Sequence, residues 1–203
     1  MTMFTPEEVE LMRDETFFRA KARISQKVRG LLEQIHAALR EEMRGAHLLS
    51  PAGFDPERYQ LVKGEHLEDF PYQYLDFPKH FVGDEKFTFR TLFWWGHHFV
   101  FALILEGSLA VRYKQNLVNR YHAVAGRQLS LSLAPTLWEW KHGEGYTLEL
   151  TADRRSEVAA VLAGRAFLKL ARFVAPDHAS VGDGRLVETG RETFHSVLPI
   201  ITP

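Results

Sequence analysis

Residues 87–106 read FTFRTLFWWGHHFVFALILE, an apolar and aromatic run broken only at Gly96. Aromatic and β-branched side chains suit a pleated surface, and a glycine between two such runs marks a tight turn. The stretch is therefore predicted to be an antiparallel hairpin with Trp94, Trp95, His97 and His98 at its tip. Taking Gly96-His97 as a two-residue type II′ turn sets Phe93 opposite Val100. Side chains alternate and opposed residues share a face. Phe87, Phe89, Thr91 and Phe93 then fall with His98, Val100, Ala102 and Ile104, the expected core face. The other face holds Arg90, Leu92 and Trp94 with Phe99, Phe101, Leu103 and Leu105. That face is too apolar for water yet contains an arginine, so something must cover it. The cover is either other parts of the chain or a ligand or partner lying in an aromatic groove anchored by Arg90. A buried guanidinium needs an anionic partner, and Asp69, Asp76 and Glu139 are the internal candidates.

Upstream of the hairpin, Thr5, Pro6 and Glu8 make a helix start: an N-cap, a proline at the first helical position and a capping-box carboxylate. From Phe17 an apolar stripe at steps of three and four (Phe17, Ala20, Ile24, Val28, Leu31, Ile35, Leu39) predicts a long amphipathic helix to about Met43, stopped by Gly45. Arg19, Arg23, Lys27 and Arg29 decorate its other faces, as a solvated surface or as a basic docking stripe. Residues 45–58 read as a connection, and Tyr59–Lys63 and Tyr72–Phe77 as strands. The two Asp-Phe-Pro copies at 69–71 and 76–78 suit an edge strand or a wrapped aromatic loop, because proline cannot donate to a ladder.

Downstream, a helix is predicted from about Val111 to Gly126 and a strand at 129–133. A second hairpin is expected to carry Trp138 and Trp140 on one strand and Tyr146, Leu148 and Leu150 on the other. Residues 154–174 follow helical spacing and are predicted to form the C-terminal helix, leaving 175–203 as an extended tail. The expected organisation is a single α+β domain over 1–203. It comprises N-terminal helices to residue 45, an antiparallel sheet built from hairpins with two further helices over 59–174, and the tail.

Composition narrows the function classes. A net charge of −1 over 203 residues offers no global attraction to nucleic acid or anionic membranes. With no cysteine there can be no disulfide, thiolate metal site or cysteine nucleophile. No apolar run reaches the length of a membrane span, and the acidic start does not have the layout of a signal peptide, so a cytoplasmic location is expected. Dinucleotide, P-loop, nucleophile-elbow and HExxH motifs are absent, and no cofactor or catalytic residue is assigned. His97 and His98 diverge in an extended strand. A shared metal would need His98 together with His122, His142 or Glu139, and no metal site is assigned.

Phe89, Phe93-Trp94, His97, Phe99, Ala102-Leu103-Ile104 and Glu106 resemble, with a one-residue shift in the second strand, the central strand pair of the bacterial YktB-like family. The amphipathic helix before them and a helix containing Phe167-Leu168-Lys169 are similar in order. The resemblance implies an α+β fold with an antiparallel sheet, and no activity.

The functional expectation is thus a non-enzymatic ligand-binding or interaction protein. Arg90, Trp94, Phe99, Phe101, Trp138 and Trp140 line its groove, and a small anionic or aromatic molecule is its ligand. The alternative is a small hydrolase or other enzyme using histidine and carboxylate side chains, with or without a metal. Oligomeric state, reaction and biological process are not specified by the sequence.

Overall fold

The computed structural model of the protein describes residues 3–203. The local signals at its start act as expected. Thr5 Oγ1 accepts from the Glu8 amide at 3.2 Å while the Glu8 carboxylate accepts from the Thr5 amide at 2.7 Å, opening α1 (Pro6–Arg13). Asp14 closes α1 and caps α2 (Glu15–Met43), accepting from the Phe17 amide at 2.9 Å. The apolar face of α2 is buried only from its middle onward, at Val28, Leu32, Ile35 and Leu39.

Four strands follow in a meander: β1 (Gln60–Leu67), β2 (Phe70–Val82), β3 (Glu85–Trp94) and β4 (Phe99–Glu106). Next come α3 (Ala110–Asn119), α4 (Tyr121–Val124), β5 (Ser130–Ser132), β6 (Thr147–Glu149) and α5 (Arg155–Ala163). The chain ends with β7 (Phe167–Val174), α6 (Ala179–Gly182) and α7 (Leu186–Ile201). All seven strands join one antiparallel sheet in the order β1-β2-β3-β4-β7-β5-β6. The fold is α+β, with the long N-terminal helix and a C-terminal helix packed on a hairpin-built sheet. Among the described residues, no helix is long and apolar enough to cross a membrane.

The hairpin register departs from expectation by one residue. Phe93 pairs with Phe99, not Val100, and Trp94 N donates to His98 O at 3.0 Å. The loop is therefore Trp95-Gly96-His97. Gly96 takes the left-handed conformation (φ 73°) that closes a three-residue hairpin, in place of a two-residue turn. A one-residue slip turns every side chain of β4 over. Phe99, Phe101, Leu103 and Leu105 accordingly join Phe87, Phe89 and Phe93 in the main core, under α2, α3, α5 and α7. Val100, Ala102 and Ile104 join Leu92 and Trp94 on the opposite face.

Three other expectations are corrected. Residues 167–174, predicted as helix, form β7, which lies between β4 and β5. Both of its faces are buried, so its alternation is masked in the sequence, and α5 ends before it at Gly164. The expected tail 175–203 instead carries α7, which buries Leu186, Phe194, Val197, Ile200 and Ile201. Pro199 falls in its last turn, where the missing proline N–H removes only the bond to the His195 carbonyl, and the end carbonyls that any helix leaves open are taken up from α3 and the residue after it. Arg120 donates to Pro199 O at 2.8 Å and Asn116 to Ile200 O at 3.0 Å. Finally, β2 is not an edge strand. Pro78 falls in a bulge between Asp76 and Lys79, past the end of the β1 pairing, where no ladder donor is required.

Candidate functional site

The face opposite the helices is covered by the irregular loop 133–146 between β5 and β6, which takes the place of the expected second hairpin. The loop is tied down by two basic side chains, one on the sheet and one just before it. Lys169, on β7, donates to Leu137 O at 2.9 Å and to Glu139 O. Arg165, just before β7, donates to the carbonyls of Leu133 and Ala134. Lys169 is almost wholly buried, which pulls its ammonium pKa down to about 8; Glu139 opposes that shift and Arg90 adds to it.

Arg90 lies at the centre of this face. The β2–β3 register sets it opposite Asp76, and its Nε and Nη2 donate to the two carboxylate oxygens at 2.7 Å each, a bidentate pair. Asp76 is fully buried and Arg90 retains 6% of its exposure. Aromatic rings flank the guanidinium, with Tyr74 at 3.8 Å, Trp138 at 4.9 Å and Trp140 at 5.7 Å from its central carbon to the ring centroids. Of the groove residues expected from sequence, Arg90, Trp94, Trp138 and Trp140 share this face. Phe99 and Phe101 do not, because the register slip places them in the main core. Trp94 works at the hairpin tip: its indole donates to Leu67 O at 3.0 Å and stacks on His97 at 3.6 Å. Trp140 is buried against Lys169, 4.5 Å from the ammonium, whereas Trp138 remains 43% exposed. A cleft of about 590 Å³ opens beside Trp138, lined also by Glu106, Pro135, Leu137, Arg165 and Phe167. Sequence reasoning missed Lys169 and Arg165, since it placed both on a helix. It also missed Tyr74, which nothing in an alternating strand distinguishes from a packing tyrosine.

The hairpin tip gathers histidines next to this face. His98 and His142 have ring centroids 6.1 Å apart and both pack on Phe173. Nε2 of His97 and of His98 is buried without a hydrogen-bond partner. Among the described residues, no three His, Asp or Glu side chains converge as metal ligands. Burial, reinforced by His142 and His97, lowers the His98 pKa to about 4. The unfolded chain takes up this proton near pH 6.5, before the folded chain does, so stability falls as pH drops from about 6.5 toward 4. Relative to His98→Phe, the protein is expected to lose on the order of 1–3 kcal/mol across that window, measured by urea unfolding at its two ends.

Two further surfaces stand apart. A polar cleft of about 660 Å³ lies between α7 and the turn after α4, lined by Arg127, Arg172, Glu192, His195 and Ser196. Its charges are largely spent internally, Arg172 pairing with Glu192 at 3.2 Å and His195 with Glu42 at 2.7 Å. At the other end of the molecule, α1 buries no residue, and neither does α2 before Val28.

No family model matches the chain, and no curated protein matches it significantly. Among solved structures, it is similar to a conserved hypothetical protein from Pyrococcus furiosus at 14% identity and a TM-score of 0.32, over 83% of this chain and 98% of that one. That likeness carries no argument about fold or function.

Proposed function

We propose that the protein is a non-enzymatic ligand-binding protein that accepts a small planar aromatic molecule on the loop-covered face, with Trp138 as its exchangeable cover. One observation carries this reading: Trp138 both lines the 590 Å³ cleft and lies 4.9 Å over Arg90, so its indole stands between solvent and the guanidinium. Asp76 already neutralises Arg90, so an incoming anion gains little. The guanidinium face, by contrast, is a ready stacking surface once the indole swings away. An irregular loop of this length is commonly a lid or binding loop. The hydrolase alternative is weaker, because a histidine with a pKa of about 4 is poorly matched to general-base work near neutrality.

The test is a tryptophan-fluorescence titration with 2-naphthol, 2-naphthoate and inorganic phosphate. Both naphthyl probes are expected to quench emission with affinities within about tenfold of each other, a difference of about 1.4 kcal/mol, and phosphate to do nothing. Trp138→Ala should alter naphthyl affinity at least fivefold, about 1 kcal/mol. Binding of phosphate alone, or no response to any probe, would sink the proposal.

A further inference from the structure

We propose that Lys169 is a proton-controlled latch on loop 133–146: as a charged ammonium it leaves the loop free to lift from the sheet, and as a neutral amine it holds the loop down. The inference rests on the reading of that loop as the cover of the ligand face, and it names what governs the cover. Lys169 retains 2% of its exposure and makes no ion pair among the described residues. The polar partners of its Nζ are the carbonyls of Leu137 and Glu139, and the Trp140 ring lies 4.5 Å away; all three belong to the loop. When the loop lifts, these partners leave and water takes their place.

The surrounding groups do not balance this charge. Arg90, on β3, is a second cation under the same loop, and the buried carboxylate there, Asp76 on β2, is already engaged by Arg90 through both oxygens. Tyr74, also on β2, lies against Arg90, and burial pushes its hydroxyl pKa up, so it brings no negative charge. β4 sets Ile104 beside Lys169, and Glu106, two residues further on, makes no ion pair among the described residues. In the loop, Glu139 attracts the ammonium, but its carboxylate lies 3.9 Å from Lys141, which also pairs with Glu68 at 3.2 Å. Arg165, at the loop's start, is a further cation.

Burial without a counter-ion outweighs the two carbonyl bonds, and the Lys169 pKa falls to about 8. The neutral amine still has two N–H donors for the two carbonyls. Deprotonation therefore removes the buried charge and keeps both bonds. In the lifted loop water solvates Nζ, and its pKa returns toward 10.5. The closed state thus binds fewer protons than the open one between about pH 8 and 10.5, so closure tightens as pH rises through that window. Below about pH 8 both states are charged, and the loop lifts most readily.

The chain has no cysteine, so a single reporter thiol tests this. Leu137 is 6% exposed, and Leu137→Cys reacts with iodoacetamide only when the loop lifts. The labelling rate is measured with and without Lys169→Met, and the ratio at each pH cancels the titration of the thiol. That ratio, lysine chain over methionine chain, is expected to fall about tenfold or more from about pH 7.5 to pH 10. Should Leu137→Cys not fold, trypsin cleavage of the parent after Lys141, normalised to a peptide of the same loop, should show the same fall. A ratio that is flat, or that rises with pH as loss of an ammonium tether would make it, overturns the proposal. So does labelling that accelerates with urea as steeply as global unfolding, because the loop then never lifts alone. Naphthyl probes that quench while labelling ignores pH strike the latch only, whereas a pH-dependent latch with no naphthyl binding strikes the ligand reading only.

Discussion

Asp76→Ala is expected to lower the unfolding free energy by about 3–5 kcal/mol, among the largest effects of any single substitution in this chain. The cause is the charge left behind. Arg90 lies 6% exposed between Tyr74 and the two tryptophans of loop 133–146, and both oxygens it binds at 2.7 Å belong to Asp76. Without that carboxylate, a guanidinium that is always charged stays in an environment that cannot solvate it. The reverse comparison isolates this term. Asp76→Leu combined with Arg90→Met removes both charges and should be less damaging than Asp76→Ala alone, since a buried ion pair is often replaceable by apolar side chains at little net cost. Urea unfolding of Asp76→Leu, Arg90→Met and their combination, with coupling read from the cycle, measures it. If the double variant were as unstable as the sum of the singles, the pair would be acting through packing and not through charge.

Phe101→Ala is expected to cost a similar amount, about 3–5 kcal/mol, and to do so without disturbing Trp138. Phe101 is fully buried under α7, so close that a Cβ built on Gly190 would lie 3.1 Å from its ring. Truncation leaves a cavity between sheet and helix that neither can close. The emission of Trp138, on the far side of the sheet, should not move. With the two-residue turn, Phe101 would instead lie beside Arg90, and its loss would unsettle the aromatic loop. A drop in the urea midpoint with unchanged tryptophan emission therefore reports the register as well as the packing. Filling the space from the other side, with Gly190→Leu, should be destabilising too, because Phe101 and Ile35 already occupy it.

The start of the first helix was legible because its physics is local. Thr5 and Glu8 satisfy each other's backbone amides within one turn, and no distant residue alters that. The amphipathic stripe of α2 was legible for the same reason, although its sequence could not show that only Val28 onward is covered. The candidate site was legible only in part. Arg90 stood out as a charge in an apolar strand, and Asp76 was one of three carboxylates able to meet it. Lys169 was hidden because FLKLARFV, buried on both faces, carries helical spacing as readily as strand alternation. The C-terminal α7 was hidden behind Gly182, Gly184 and Pro199, turn-forming residues whose effect is confined to its ends.

The sequence by itself determined where the first helix begins, that residues 87–106 form a hairpin, and that one face of that hairpin carries a charge needing a partner. These follow from hydrogen bonds and periodicities spanning a few residues. The tertiary structure alone decided the register, the identity of that partner and what lies over it. A two-residue and a three-residue turn can each be built around Gly96, yet they exchange the two faces of β4. The balance is set by the main core taking in Phe99 and Phe101, the latter against α7, on one side and by loop 133–146, held by Lys169 and Arg165, closing over Arg90 on the other.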